Sequence, residues 1–262
     1  MFSIKITPAK FDYNHKTKVL DGHFLELMVK KTQKNKLYGI IGPSGTGKST
    51  LISILGGQLN PQKGNVLIDG VDIYSVGDHS RRDLIALQMQ TSTSLRGKLK
   101  YNLLFGLPDK AIEDCRYNDK YLVKLLKKVG LWDIFEPKEG LDTLIGEGGV
   151  NLSGGQRQRL NFAGLYLRAR YFEPSLILID EPTSSLDEIS EKAITKMIKE
   201  LSQDSLTLVV AHRLKTLDEA EAILDSSLFK SEKEMRFLKI TELKMKSDYY
   251  KDLISGKAVL DG

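Results

Sequence analysis

Residues 36–55 read KLYGIIGPSGTGKSTLISIL, and this run contains three local signals in a fixed order. The apolar segment KLYGII, residues 36–41, predicts a short buried strand. A glycine-rich turn follows it, and the segment STLISIL, residues 49–55, is a helix candidate. A strand, a glycine loop and a helix in this order predict a loop whose backbone amides lie at the N-terminus of a helix.

The loop satisfies the pattern GxxxxGK[ST] without exception. Its glycines let successive amides turn inward around a phosphate, and the helix adds the positive end of its dipole. Lys48 is expected to supply a point charge for the β- and γ-phosphates, and the Ser49 hydroxyl is placed to ligate Mg²⁺. The alternative, a glycine-rich turn without a ligand, is disfavoured by the strand before it and the helix after it. The pattern predicts a nucleoside triphosphate site formed by Gly42, Pro43, Ser44, Gly45, Thr46, Gly47, Lys48, Ser49 and Thr50.

A second apolar run, LILIDE at residues 176–181, ends in two carboxylates. Taken alone, an acidic pair after an apolar strand more often marks an ordinary strand end. In a chain that also contains GxxxxGK[ST], Asp180 is expected to hold the hydrated Mg²⁺. Glu181, one residue later, is placed to accept a proton from an attacking water.

Composition limits the class of protein. The chain has 262 residues, with 41% hydrophobic and 28% charged residues, which fits a soluble globular protein and argues against a disordered or integral membrane protein. Its most apolar stretches are much shorter than the roughly 20 residues that a spanning helix needs. The net charge of +5 shows no block of like charge, so no nucleic-acid partner is expected. A single cysteine, Cys115, excludes an internal disulfide, and the absence of a secretory signal predicts a cytosolic chain.

The order of elements predicts an α/β fold. Near-continuous apolar strands at SLILID and LTLVVA alternate with helices at about 186–201 and 214–221, which argues for a parallel sheet covered on both faces. Residues 4–27 alternate in polarity and predict a half-buried antiparallel layer. Between about 98 and 173 the periodicity becomes helical. In the tail, RFLKIT (236–241) predicts a strand and SDYYKDLIS (247–255) a helix.

The segment LSGGQRQRL begins at Leu152. Ser153 is a good N-cap, Gly154 and Gly155 allow close backbone approach, and Gln156 begins a helix. The segment resembles the signature motif of ATP-binding cassette (ABC) ATPases, in which a serine and two glycines at a helix start form a second phosphate cradle. A capped helix without a ligand is the alternative.

The resemblance covers roughly residues 4–224 and implies roles for further residues. Tyr13 matches the aromatic residue that stacks on adenine in this family, although a lone aromatic in a strand is more often core. Gln90 resembles the Q-loop glutamine, which reaches the metal and the water and senses the transport partner. Gln88 is the rival, and the alignment of GKLKYNLLFG, residues 97–106, with the family's GTxxENIxFG favours Gln90.

Two more motifs follow the acidic pair. SSLD at 184–187 resembles the D-loop, which implies a nucleotide-site role for Asp187. His212, after the LTLVVA run, resembles the switch histidine that contacts the γ-phosphate. The segments NLLFG (102–106) and DTLIGEGG (142–149) are similar to exporter domains and favour an exporter over an importer. The sequence departs from the family in TSTSLRG (91–97), which lacks the usual aromatics, and after Ala222, where the usual glycine-containing hairpin is missing.

The resemblance implies a P-loop NTPase core with a mostly parallel sheet, an N-terminal antiparallel β layer and an inserted α-helical subdomain. Residues 1–97 and 174–262 would form the RecA-like ATP-binding core with the β layer, and residues 98–173 the helical signature subdomain. The implied cofactors are ATP and Mg²⁺.

The implied mechanism is a head-to-tail dimer, either a homodimer or a pair of nucleotide-binding domains, that closes on ATP. Lys48, Gln90, Glu181 and His212 would carry hydrolysis. The implied partner is a transmembrane domain, as a separate chain or in the same polypeptide, with this chain peripheral on the cytoplasmic side of the plasma (inner) membrane. A soluble ABC ATPase that moves no solute is the alternative; a P-loop kinase or GTPase is disfavoured because no NKxD run follows the loop.

Overall fold

The computed structural model describes residues 1–13, 17–91, 94–113, 117–184 and 186–256. Cys115, Ser185 of the SSLD segment and residues 92–93 of the TSTSLRG run lie outside the described residues. The strands in chain order are β1 (Phe2–Tyr13), β2 (Thr17–Val29), β3 (Leu37–Ile41), β4 (Val66–Ile68), β5 (Val71–Asp72), β6 (Ile85–Gln88), β7 (Gly97–Lys98), β8 (Leu144–Ile145), β9 (Leu176–Asp180), β10 (Leu206–Val210), β11 (Ala222–Asp225) and β12 (Glu234–Met235). The α-helices are α1 (Lys48–Leu55), α2 (Asp78–Leu84), α3 (Leu99–Leu104), α4 (Asp109–Glu113), α5 (Asp119–Lys128), α6 (Trp132–Phe135), α7 (Gly154–Phe172), α8 (Glu188–Leu201), α9 (Ile240–Lys246) and α10 (Asp248–Ile254).

The core sheet has the strand order β11-β3-β10-β9-β6, and every neighbouring pair in it is parallel. This confirms the predicted α/β fold with a parallel sheet. The carboxyl ends of parallel strands meet at one edge of a sheet, and loops at that edge form the binding sites of such folds. Here β3 runs into the glycine loop, β9 ends at Asp180, and β10 ends two residues before His212.

Both faces of the core sheet are covered. Leu176 and Leu178 of β9 pack in the same hydrophobic cluster as Leu51 of α1, on one face. Ile177 and Ile179 pack on the other face, in the cluster that contains the buried stripes of α7 and α8. Successive strand residues point to opposite faces, so a strand buried on both sides is apolar at nearly every position.

The N-terminal layer is a second sheet, with the order β12-β2-β1-β4-β5. β1 and β2 pair antiparallel over most of their length, with Ile4 opposite Leu27, and β4 pairs antiparallel with the other edge of β1. The inward side chains of β1 join the cluster around α1. The predicted half-buried antiparallel layer is confirmed.

Helices α3 to α7 fill most of the region between β7 and β9, and β7 and β8 pair as a short antiparallel ladder within it. In α5 the buried Leu122, Leu125 and Leu126 lie on one side and the exposed Lys124 and Lys127 on the other, as the sequence spacing predicts. The division of the chain at residues 98 and 173 stays a prediction. Within the residues that the structure describes, no helix has the length and apolar character to cross a membrane.

The tail differs from its prediction in one place. The strand predicted at residues 236–241 is wrong: β12 lies just before it, on the edge of the antiparallel layer, and α9 begins at Ile240. The chain crosses here from one sheet to the other, and only Leu238 exchanges backbone hydrogen bonds with Ile223, at 2.8 and 2.9 Å. The helix predicted near 214–221 is a shorter 3₁₀ turn, Leu214–Leu217, and the helix predicted at 247–255 is confirmed as α10.

Candidate active site

The glycine loop joins β3 to α1 in a conformation that exposes backbone amides. Gly45 and Gly47 have φ of 76° and 96°, in the left-handed region that favours glycine. At Gly47 a Cβ atom would also lie 2.4 Å from Val19 Cγ1, so the antiparallel layer closes one side of the loop. The first helical hydrogen bond runs from Leu51 N to Gly47 O. The amides of residues 48–50 therefore start the helix without an upstream acceptor, as an anion site requires.

Lys48 lies folded onto the loop. Its Nζ donates to the carbonyl oxygens of Gly42 and Pro43, both at 2.8 Å. Burial lowers the pKa of Lys48, and the nearby carboxylates of Glu181 and Asp180 oppose this shift. The ammonium is therefore held between the loop carbonyls and the acidic end of β9.

Asp180 is fully buried, and neither oxygen of its carboxylate has a hydrogen-bond partner in the described part of the chain. Burial raises its pKa to about 6, and the nearby Ser49 hydroxyl, which does not reach hydrogen-bond geometry, opposes this shift. A buried carboxylate without a partner is a costly arrangement that a bound cation would relieve. The donor set of Asp180 and Ser49 therefore fits Mg²⁺. The described ranges contain no cluster of three His, Cys, Asp or Glu side chains that could hold a metal.

The structure brings Gln90 and His212 onto Glu181. Gln90 Nε2 donates to Glu181 Oε2 at 2.6 Å, and His212 Nε2 lies 2.6 Å from Glu181 Oε1, which accepts its hydrogen bond. The rival glutamine, Gln88, lies buried at the end of β6, and its amide has no hydrogen-bond partner within the described residues. The geometry thus brings Gln90, and not Gln88, to the acidic pair.

Glu181 itself has φ of 50°, which is uncommon for a residue with a side chain. Its amide donates to Val210 O at 3.0 Å, and its carbonyl accepts from Gln158 Nε2. Sequence reasoning missed Gln158. A signal was present, because Gln158 occupies a buried position of α7 in line with Phe162 and Leu165, where an apolar residue is expected.

The signature turn caps α7. Ser153 Oγ accepts from Gln156 N at 3.2 Å, and Gln156 Oε1 accepts from Ser153 N at 2.8 Å, which is a capping box. Ser153 and Gly154 are exposed. Within the described ranges, no hydrogen bond or ion pair joins Ser153–Gln156 to residues 42–50. The structure does not bring the two predicted phosphate cradles together in one chain.

Two other predicted site residues lie at the edges of this arrangement. Tyr13 is 43% exposed, and its hydroxyl lies 3.2 Å from Thr50 Oγ1 in the first turn of α1. An exposed ring beside the phosphate loop fits a stacking surface for a base. Asp187 caps α8 instead: its carboxylate accepts from Ser190 N and Ser190 Oγ, both at 2.9 Å, and these bonds lower its pKa.

Comparison with known proteins gives a consistent result. The family model of the ABC transporter matches residues 27–184. The uncharacterized ABC transporter ATP-binding protein YwjA of Bacillus subtilis (strain 168) is 35% identical over 223 residues, which cover 85% of this chain and 36% of that protein. An ATP-dependent lipid A-core flippase of Saccharophagus degradans is 35% identical over 222 residues, or 84% of this chain and 35% of the flippase.

A solved structure is similar over nearly the whole fold. A bacterial Atm1-family ABC exporter with ATP bound matches with a TM-score of 0.76 and 26% identity, over 98% of this chain and 42% of that chain. The chain spans about a third of the length of the curated relatives named above. These matches agree with the phosphate loop and the acidic end of β9, and they show that the chain belongs to the ABC transporter family as a nucleotide-binding domain of the exporter-like type.

Proposed function

We propose that this chain binds ATP and hydrolyses it to ADP and phosphate in order to drive an exporter-type transporter. The observation that carries this proposal is that Lys48, Asp180 and Glu181 lie together at the edge of the core sheet where its parallel strands end. Lys48 and the amides of the α1 N-terminus would hold the phosphates. Glu181, with one hydrogen bond on each carboxylate oxygen, is held ready as a base.

The chemical step uses the chain's own residues as follows. A water oxygen forms a bond to the γ-phosphorus, the bond from that phosphorus to the β,γ-bridging oxygen breaks, and the water proton passes to Glu181. His212 and Gln90 would orient the Glu181 carboxylate through their hydrogen bonds to its two oxygens. Asp180 and Ser49 would hold Mg²⁺, which, when bound, would neutralise charge on the phosphate oxygens.

A pair of domains completes the site in this proposal. The signature turn is exposed and, among the residues that the structure describes, makes no hydrogen bond or ion pair with the phosphate loop, so a second copy or a paired domain is needed to bring the two cradles to one nucleotide. Closure of the pair on ATP and its opening after hydrolysis would be the mechanical step.

The proposed transport partner is a transmembrane domain, on a separate chain or in the same polypeptide, with this chain peripheral on the cytoplasmic side of the plasma (inner) membrane. The named relatives support this, since each is about three times as long as the matched region. A cleft between β6 and α7 is lined by Met89 and Thr91, the two neighbours of Gln90 in sequence, and by Leu95, Phe105 and Arg168. Leu95 and Phe105 are exposed there, which fits a surface that another element covers.

The test compares the wild type with Glu181→Gln in Mg-ATP. We expect the wild type to release phosphate, and Glu181→Gln to lose at least a hundred-fold in kcat and to elute as an ATP-bound dimer on size exclusion. Glu188→Gln is the matched control, because Glu188 is exposed and forms an ion pair with Lys192, away from the residues of the proposed site. Unchanged phosphate release in Glu181→Gln, or equal monomer fractions with and without Mg-ATP, would contradict the proposal.

A further inference from the structure

Ser226 lies beneath the phosphate loop, although it is far from the loop in sequence. It follows directly after β11, whose last residue, Asp225, is in register with Ile41 at the end of β3. Ser226 is 1% exposed. Its Oγ lies 3.0 Å from Ile41 O and 2.5 Å from Thr46 Oγ1. The Ser226 hydroxyl therefore contacts both the end of β3, just before the loop, and Thr46 in the middle of the loop.

The contact with Gly42 is equally close. A Cβ atom built on Gly42 would lie 2.0 Å from Ser226 Oγ, so the serine hydroxyl occupies the space that a side chain at residue 42 would need. The first glycine of GxxxxGK[ST] is thus required here by a specific neighbour as well as by its φ of 139°.

Ser226 is held in place from outside the loop. The Asp225 carboxylate accepts hydrogen bonds from Ser227 N, at 2.8 Å, and from the Ser247 hydroxyl. Ser247 is fully buried and caps α10 by accepting from Tyr250 N at 2.8 Å. A continuous set of contacts therefore connects the C-terminal helix to the phosphate loop.

The hydroxyl groups of Thr46 and Ser226 have two protons between them but make three contacts. Thr46 Oγ1 is within reach of Pro43 O, at 2.8 Å, and of Ser226 Oγ; Ser226 Oγ is also within reach of Ile41 O. Two protons can satisfy only two of these three contacts at once. Three arrangements are therefore possible. In the first, Thr46 donates to Ser226 and Ser226 to Ile41 O; in the second, Thr46 donates to Pro43 O and Ser226 to Thr46; in the third, Thr46 donates to Pro43 O and Ser226 to Ile41 O.

The choice between these arrangements depends on Lys48. With Lys48 Nζ bonded to Pro43 O, that carbonyl already has a donor. When Lys48 moves to a phosphate, Pro43 O loses this donor, and the Thr46 hydroxyl at 2.8 Å can serve as its donor while Ser226 donates to Thr46 Oγ1 or to Ile41 O. A partly buried carbonyl left without a donor would otherwise oppose the movement.

We propose that Ser226 is a positioning residue for ATP binding, whose hydroxyl keeps the loop hydrogen-bonded as Lys48 exchanges loop carbonyls for phosphate. The inference rests on the proposed ATP site and deepens it. Removal of the hydroxyl should weaken ATP binding, and leave the rate of the bound complex almost unchanged, because Ser226 contacts the loop and not the reacting atoms.

The test measures Mg-ATP affinity by titration calorimetry on the Glu181→Gln background, where turnover is blocked, and kcat on the otherwise wild-type chain. We expect Ser226→Ala to weaken ATP binding about five-fold, or about 1 kcal/mol, which is one neutral hydrogen bond, with less than a two-fold change in kcat. Ser227→Ala is the matched control, since no hydrogen bond of its hydroxyl to the loop is present among the described residues. Ser226→Thr, which keeps the hydroxyl, should restore most of the affinity.

A second measurement separates positioning from simple support of the fold. In a double-mutant cycle with Thr46→Val, we expect the loss of ATP affinity in the double variant to be smaller than the sum of the two single losses, because both changes remove the contact between Thr46 and Ser226. An unchanged ATP affinity in Ser226→Ala, even with a lower unfolding midpoint, would overturn the inference alone. If the Glu181→Gln background itself binds no ATP, the proposed function fails and the inference fails with it.

Discussion

The buried carboxyl of Asp180 should make the stability of this chain depend on pH in the absence of nucleotide. Burial raises its pKa from 3.8 to about 6. In the unfolded chain the group ionises near its ordinary value, so at intermediate pH the folded chain holds the proton more tightly. The stability that this proton contributes is fully present below pH 3.8 and is lost as the pH rises through about 6.

The magnitude follows from the two pKa values. Their difference corresponds to a penalty of about 3 kcal/mol at pH 8, and of about 1 kcal/mol at pH 4.5, where the unfolded chain is mostly ionised and the folded chain is not. Asp180→Asn removes the charge at both pH values, and its amide costs the same free energy at each. We therefore expect the stability of Asp180→Asn relative to the wild type to be about 2 kcal/mol more favourable at pH 8 than at pH 4.5.

Urea unfolding of both proteins at the two pH values, without nucleotide or Mg²⁺, measures this difference. Asp187→Asn is a control of opposite sign, since hydrogen bonds from Ser190 lower the pKa of Asp187 and its stabilisation is lost as the pH falls. A difference between Asp180→Asn and the wild type that is equal at pH 8 and pH 4.5 would refute the conclusion that burial penalises the ionised carboxylate.

Three further substitutions test separate parts of the site. Ser153→Arg should abolish phosphate release and leave ATP affinity intact, because its exposed turn would serve the partner's nucleotide; loss of ATP binding as well would count against the paired site. Tyr13→Ala should weaken ATP binding about ten-fold by calorimetry, while Tyr13→Phe, which removes only the contact with Thr50, should bind like the wild type; equal losses in both would exclude stacking. Gln158→Ala should lower kcat about ten-fold, since it releases the Glu181 carbonyl, with ATP affinity within two-fold of the wild type; an unaltered kcat would show that the bond does not position Glu181.

The parts of this fold that local sequence predicts are those that local chemistry dictates. The strand, loop and helix of residues 36–55 need only an apolar run, glycines and a helix start, and they form where expected. The apolar strands at 176–180 and 206–210 are fully buried in the sheet, as near-continuous hydrophobic runs predict. The spacing of leucines in α5 likewise predicts which side of the helix is buried.

The missed features depend on contacts between distant positions. Ser226 and Ile41 are 185 residues apart, and nothing in the SSLFK run indicates that its first serine faces a phosphate loop. The strand predicted for RFLKIT is wrong because the tail crosses between sheets there, and the position of those sheets is a tertiary property. Gln158 is an intermediate case. The helical spacing predicts that it lies on a buried helix face, but the sequence does not indicate that its partner is the Glu181 carbonyl.

The backbone of Glu181 has a consequence for anyone who engineers this chain. A residue with a side chain in this left-handed conformation costs roughly 1–3 kcal/mol, whereas glycine or asparagine adopts it more readily. Selection for heat resistance alone would therefore favour replacement of Glu181, the side chain that we propose as the base. Thermostable variants of this chain should be selected for ATP turnover at the same time, because thermal stability and catalysis favour different residues at position 181.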